Sequence, residues 1–245
     1  MTKEKLASMI DHTLLAPYTG NQSIEKLCSQ AKKYKFASVC VNPSFVKFAK
    51  ENLLDSSVKV CTVVGFPLGA VPSENKVCET VLAIQNGAEE IDMVINLNSA
   101  FDKDFEYIKN DIKAVVDAAK AEGAKFGKKI IVKVILETCY LDDETIIQCC
   151  LCAKQANADF VKTSTGFAIL KNEDGSLKPN GATVHHVELM KQTVGAELSV
   201  KASGGIRTAS DAIKMLEAGA TRIGTSAGIQ IIEAWDESIK IKGWD

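Results

Sequence analysis

Apolar, β-branched runs alternate along the chain with longer runs whose apolar residues recur at helical spacing, and the alternation repeats eight times. The strand-like runs cover 9–15, 37–42, 58–66, 90–96 and 129–137, then 159–167 and 198–206, where each strand opens into a loop, and finally 221–226. Helices are expected over 3–8, 23–34, 43–54, 73–86, 104–123 and 142–155, from 183 onward, and over 208–218 and 229–237. In the longest of these, Ile108, Ile112, Val115, Val116 and Ala119 share one face. Ser23 is a candidate N-cap, and Gly87 suits the position just past a helix end. Eight strand–helix units in 245 residues predict an α/β fold, a (β/α)8 TIM barrel with a short N-terminal helix, as one domain over 1–245. An open doubly wound sheet would usually have fewer strands and a first-turn Gly-x-Gly-x-x-Gly, which is missing.

In a closed barrel, alternate residues of a strand point inward. Taking Lys162 as inward, Phe160 and Ser164 share its side, while Val161 and Thr163 face the helices. The same test turns Asp11 and Thr13, Cys40 and Asn42, Asp92 and Asn96, Lys133 and Glu137, and Ser199, Lys201 and Ser203 inward. It turns His12 outward, the least comfortable placement of the set. A barrel filled only for stability would hold Val, Ile and Leu layers. Here the inward parity is ionisable, so Asp11, Asp92, Lys133, Glu137, Lys162 and Lys201 are expected to form one paired cluster near the C-terminal strand ends.

Lys162 and Lys201 lie on consecutive strands, about 4.8 Å apart if those strands are neighbours. Burying an ammonium is costly, and a neutral amine in its place is a nucleophile toward a carbonyl carbon. A lysine at a strand end can also simply reach water or pair with a carboxylate, so the pair of strands carries the argument.

Composition narrows the field. The chain is 46% hydrophobic and 24% charged, with net charge −2, and its basic and acidic residues are interspersed. No footprint for nucleic acid or an anionic membrane appears, no signal-like or membrane-spanning run is present, and a cytoplasmic protein is expected. The eight cysteines fall largely in apolar runs and read as reduced thiols. Cys149 and Cys152 form a C-x-x-C within a helical run, and His185 and His186, two of three histidines, point about 100° apart on a helix. No metal site and no cofactor is expected.

Two glycine-bearing segments suggest an anion site. Ser203-Gly204-Gly205-Ile206-Arg207 and Arg222-Ile223-Gly224-Thr225-Ser226-Ala227-Gly228 end strands seven and eight and lead into helices. Glycine admits a ligand close to the backbone, and helix N-termini offer free N–H groups to phosphate.

Val161-Lys162-Thr163-Ser164-Thr165-Gly166, Val200-Lys201-Ala202-Ser203-Gly204-Gly205-Ile206, Ile91-Asp92-Met93-Val94-Ile95-Asn96, Asp11-His12-Thr13-Leu14-Leu15 and Val39-Cys40-Val41-Asn42-Pro43 together resemble the deoxyribose-phosphate aldolases, in order and over nearly the whole chain. The resemblance implies a class I aldolase that reversibly splits 2-deoxy-D-ribose 5-phosphate into acetaldehyde and D-glyceraldehyde 3-phosphate. It implies Lys162 as the Schiff-base lysine and Lys201 and Asp92 as proton-handling groups. Cys40 would then sit beside the substrate, with Asp11, Thr13, Lys133 and Thr165 in support and Gly166, Gly204, Gly205, Gly224 and Ser226 around the phosphate.

The chain departs from the pattern at Ala227, where a second serine is common, and at Phe167, where some members have lysine. It ends Lys242-Gly243-Trp244-Asp245, where some members have a tyrosine. Lys171 or Lys178, in a long 168–182 loop, is expected to supply the missing phosphate cation. The related enzymes are often dimers, so a homodimer is expected with small-molecule sugar phosphate and aldehyde as the other partners. Two other functions fit the pattern: a Schiff-base aldolase acting on a keto sugar phosphate, and a silent phosphate-binding barrel.

Overall fold

The computed structural model describes residues 1–244; Asp245, the last residue of the expected domain, lies outside them. Eight parallel strands, β1 (Ile10–Leu14), β2 (Ser38–Val41), β3 (Lys59–Val64), β4 (Glu90–Val94), β5 (Ile131–Ile135), β6 (Phe160–Lys162), β7 (Ser199–Ser203) and β8 (Arg222–Thr225), pair in chain order and close through β1 and β8. The helices are α1 (Lys3–Ala7), α2 (Asn21–Tyr34), α3 (Val46–Asn52), α4 (Ser73–Gln85), α5 (Leu97–Phe101), α6 (Phe105–Lys125), α7 (Asp143–Gln155), α8 (Val184–Val194), α9 (Ala209–Glu217) and α10 (Gly228–Glu233). This is the expected (β/α)8 barrel, with α1 as its short N-terminal helix. No helix among the described residues is long and apolar enough to cross a membrane.

Strand parity is as expected over the strand cores. Val39, Val41, Ile91, Met93, Val132, Val134, Val161 and Val200 are buried in one apolar cluster with Ile108, Ile112, Val115 and Ala119 of α6. Each such side chain contributes about 1.5–3 kcal/mol by leaving water. His12 does face outward: its Nε2 pairs with Gln30 of α2 at 2.9 Å and its ring lies 5.1 Å from that of Phe36. In register, Lys162 sits opposite Lys201 and Asp92 opposite Lys133, so the pairing of neighbouring strands brings the inward charges together.

The element ends differ from expectation for local reasons. α2 starts at Asn21 with Gly20, not Ser23, at the N-cap. The expected helix 43–54 divides into a 3-10 turn, Pro43–Phe45, and α3. β4 stops at Val94 because Asn96 turns to cap the unexpected helix α5, its Oδ1 accepting from Ser99 N at 3.2 Å. β5 stops at Ile135, and Glu137 takes a left-handed backbone conformation with φ 54°. The loop between β6 and α8 holds a small antiparallel bridge, Lys171 to Leu177.

Candidate active site

Asp92 is the hub of the barrel interior. Its Oδ2 accepts from Lys162 Nζ and from Lys201 Nζ, each at 2.7 Å, and its Oδ1 accepts from Lys133 Nζ at 2.9 Å. Lys201 also pairs with Asp11 Oδ2 at 2.5 Å, and Asp11 Oδ1 accepts from Ser38 Oγ at 2.7 Å and Arg222 Nη1 at 2.6 Å. Lys133 and Arg222 converge on Glu90, at 2.5 Å and 3.1 Å. Five of the six expected members are thus brought together.

Glu137 is the exception. Past the end of β5 the alternation no longer holds, and its carboxylate instead accepts from Thr165 N at 3.2 Å and from Thr165 Oγ1. Burial pushes that carboxyl above its usual range. Sequence reasoning missed Glu90, Arg222 and Cys61, whose Sγ lies 3.2 Å from Asp92 Oδ1. The signal was available for two of them: Glu90 stands two residues before Asp92, and Arg222 two before Gly224, on the inward parity. Arg222 belongs by sequence to the expected anion segment, but its guanidinium lies in the ion cluster, on Asp11 and Glu90.

Burial works against charge throughout this cluster, and the partners overcome it. For Asp92 it is outweighed by Lys133, Lys162 and Lys201, which hold the carboxyl well below the usual carboxylate range. Lys201, Lys133 and Arg222 do the same for Asp11. Conversely, burial of Lys201 is outweighed by Asp11 and Asp92, which keep it an ammonium, and carboxylates led by Asp92 keep Lys133 charged. Inside the barrel four cationic groups face three carboxylates, and half-exposed Lys59 reaches Glu90 at 3.9 Å from outside, so cations are in excess around Lys162.

Above the cluster a cavity of about 450 Å³ opens at the C-terminal strand ends. Of the three lysines, Lys162 lines it, with Thr13, Thr165, Gly166, Phe167, Gly204, Gly205, Arg207, Gly224 and Ser226 on the walls. Lys133, Lys201, Asp92 and Asp11 lie beneath, fully buried. Cys40 does not reach the cavity; it packs with Leu15, Cys61 and Val63 one layer down.

Two glycines are fixed by contacts. A Cβ on Gly204 would stand 2.9 Å from Gly181 Cα, at a left-handed φ of 86°. A Cβ on Gly224 would stand 2.9 Å from Lys201 Cε.

The expected anion contacts are partly redrawn. The N-terminus of α9 is closed by its own capping box: Arg207 N and Thr208 N donate to Asp211 Oδ2 at 3.1 and 3.0 Å, and Asp211 N donates to Thr208 Oγ1. After β8, Ala227 N donates to Thr225 Oγ1 at 2.9 Å. Lys171 and Lys178 are exposed and do not line the cavity, whereas Arg207 does. Phe167, which also lines it, packs edge-on against Phe66 with ring centroids 5.2 Å apart.

Cys149 and Cys152 of the C-x-x-C are buried in α7, and burial pushes the Cys149 thiol up to about 12, far from the thiolate that a metal binds.

The family model for DeoC/LacD family aldolases matches residues 5–234. The chain belongs to the DeoC/LacD aldolase family. It is 53% identical over 232 residues to the deoxyribose-phosphate aldolase of Thermoanaerobacter sp., covering 95% of this chain and 97% of that one. Against the deoxyribose-phosphate aldolase of Caldanaerobacter subterraneus subsp. tengcongensis it is 54% identical over 230 residues, covering 94% and 93%. The solved deoxyribose-phosphate aldolase of Aeropyrum pernix, described as tetrameric, superposes with a TM-score of 0.81 at 32% identity, covering 97% of this chain and 94% of that one. Within this aldolase family, then, the present chain places one cavity-facing lysine over a buried cluster of fixed charge.

Proposed function

We propose that this chain is a 2-deoxy-D-ribose 5-phosphate aldolase working through a Schiff base on Lys162. The observation that carries the assignment is that Lys162 alone among the clustered lysines both contacts Asp92 and lines the cavity. The amine of Lys162, in its neutral form, adds to the C1 aldehyde of the open-chain sugar. Loss of water gives an iminium ion. The C3 hydroxyl then loses its proton and becomes the carbonyl of glyceraldehyde 3-phosphate as the C2–C3 bond breaks, the pair from that bond forming C1=C2 while the iminium π pair moves onto nitrogen to leave an enamine. Protonation of the enamine at C2 and hydrolysis of the imine release acetaldehyde.

Asp92 moves these protons through a water, and Lys201, kept cationic by Asp11 and Asp92, holds the charge beside it. Thr13 and Thr165 face the substrate, while Asp11, Lys133 and Cys40 support the site from below. Gly166, Gly204, Gly205, Gly224 and Ser226 surround the phosphate, with Arg207 as its cation. The reading also takes the chain as one domain, cytoplasmic and assembling as a homodimer.

Incubation with acetaldehyde and borohydride, followed by peptide mapping, tests the chemistry. The expected result is a reduced two-carbon adduct on Lys162 alone. An unmodified Lys162 in folded protein overturns the Schiff-base mechanism in favour of a silent barrel, and an adduct on Lys201 exchanges the two lysines' roles.

A further inference from the structure

The mechanism leaves one group of metal-ligating side chains unused. α7 and α8 follow β5 and β6, so their N-termini both stand at the C-terminal face of the barrel. Asp143 is the first residue of α7, and His185 and His186 are the second and third of α8. Adjacent histidines on one helix diverge, so the pair alone makes a poor site. The neighbouring helix supplies what the pair lacks.

His185 Nε2 lies 2.8 Å from Asp143 Oδ2, the two imidazole rings are 5.5 Å apart, and the three residues offer ligand atoms all within 4.8 Å of one another. Ligands of a tetrahedral ion, each about 2.0–2.2 Å from it, lie about 3.4 Å apart, so small rotations of these side chains suffice. His186 supplies an independent sign: its Nδ1 is buried and has no hydrogen-bond partner. A simple His185–Asp143 ion pair gives that ring nothing to do.

We propose that Asp143, His185 and His186 bind a divalent metal ion of the Zn²⁺ class, clipping the start of α7 to the start of α8. Two imidazoles and a carboxylate match the ligand preference of these ions and leave a position for water. The clip would fasten α8 directly after Gly181 and Ala182, where Ala182 N donates to the carbonyl of Gly204 at 3.1 Å.

The test is calorimetric titration of the untagged, reduced protein with ZnCl₂ near neutral pH. One ion per chain is expected, with affinity at least about tenfold weaker in H185A, H186A and D143N and unchanged in C78S, which removes an exposed thiol. Binding should also weaken at about pH 5.5, where protons compete for the imidazoles. Equal metal-free aldolase turnover in each variant establishes that it is folded. Absence of one-to-one binding, or affinity unchanged in H186A or H185A, overturns the site.

Discussion

Gly224 shows how one residue's role follows from what a methyl group would meet. It stands among residues read as a phosphate cradle, and it does line the cavity. Its tightest constraint, however, is the side chain beneath it: an added Cβ would lie 2.9 Å from Lys201 Cε and 3.0 Å from Ser203 Cβ. Lys201 cannot shift freely, because its Nζ is fixed between Asp11 and Asp92. G224A should therefore disturb the ammonium beside Asp92 more than it disturbs phosphate. The expected outcome is a fall in kcat of about tenfold or more with a smaller change in KM for deoxyribose 5-phosphate. Steady-state kinetics decide it; a raised KM with kcat intact would return Gly224 to a purely phosphate-binding role.

At the scale of elements, α4 and α6 are joined by a second buried charge pair outside the barrel. Lys76 is fully buried, donating to Asp111 Oδ2 at 2.5 Å and to the Val94 carbonyl at 2.8 Å, while Ser73 Oγ donates to Asp111 Oδ1 at 2.7 Å. The Val94 carbonyl closes the end of β4, two residues beyond Asp92. K76M would leave Asp111 buried without its cation, so a loss of about 3–5 kcal/mol in urea unfolding is expected, with K76M/D111L recovering most of it. If K76M unfolds at the wild-type midpoint, the pair is not holding the helices.

No periodicity announces such a pair, because Lys76 and Thr80 occupy positions on the buried face of α4 that read as polar. Caps were unevenly legible too. Thr183 and Thr208 bond the N-termini of their helices as their residue type suggests, whereas Gly20 caps α2 through backbone geometry alone and Ser23 lies inside the helix.

For the whole molecule, alternation was enough to read the barrel and most of the charged interior, because a closed sheet gives every strand the same two sides. It fails beyond a strand exit, at Glu137, whereas Glu90 and Arg222, at two strand entries, keep the inward parity and join the cluster. The cluster so formed also sets how global stability follows pH. Asp11 and Asp92 are held below the ordinary carboxylate value of 3.8, so the unfolded chain binds protons there that the folded chain does not. Their stabilisation is present above 3.8 and is lost as pH falls toward their folded values.

His12 acts in the same sense at higher pH. Burial holds it below 6.5 despite Gln30, so between its folded value and 6.5 the unfolded state again binds the extra proton, and stability rises with pH. In denaturant unfolding at about pH 5 and about pH 7.5, His12 therefore favours the upper value, opposed by Glu137, whose raised carboxyl acts in the other sense. In H12Q the stability at about pH 7.5 relative to about pH 5 should fall, since glutamine cannot titrate, while half-buried His186, shifted the same way as His12, keeps its own contribution. An H12Q protein with the full wild-type difference would mean that the buried imidazole between Gln30 and Phe36 is not what the folded state keeps neutral.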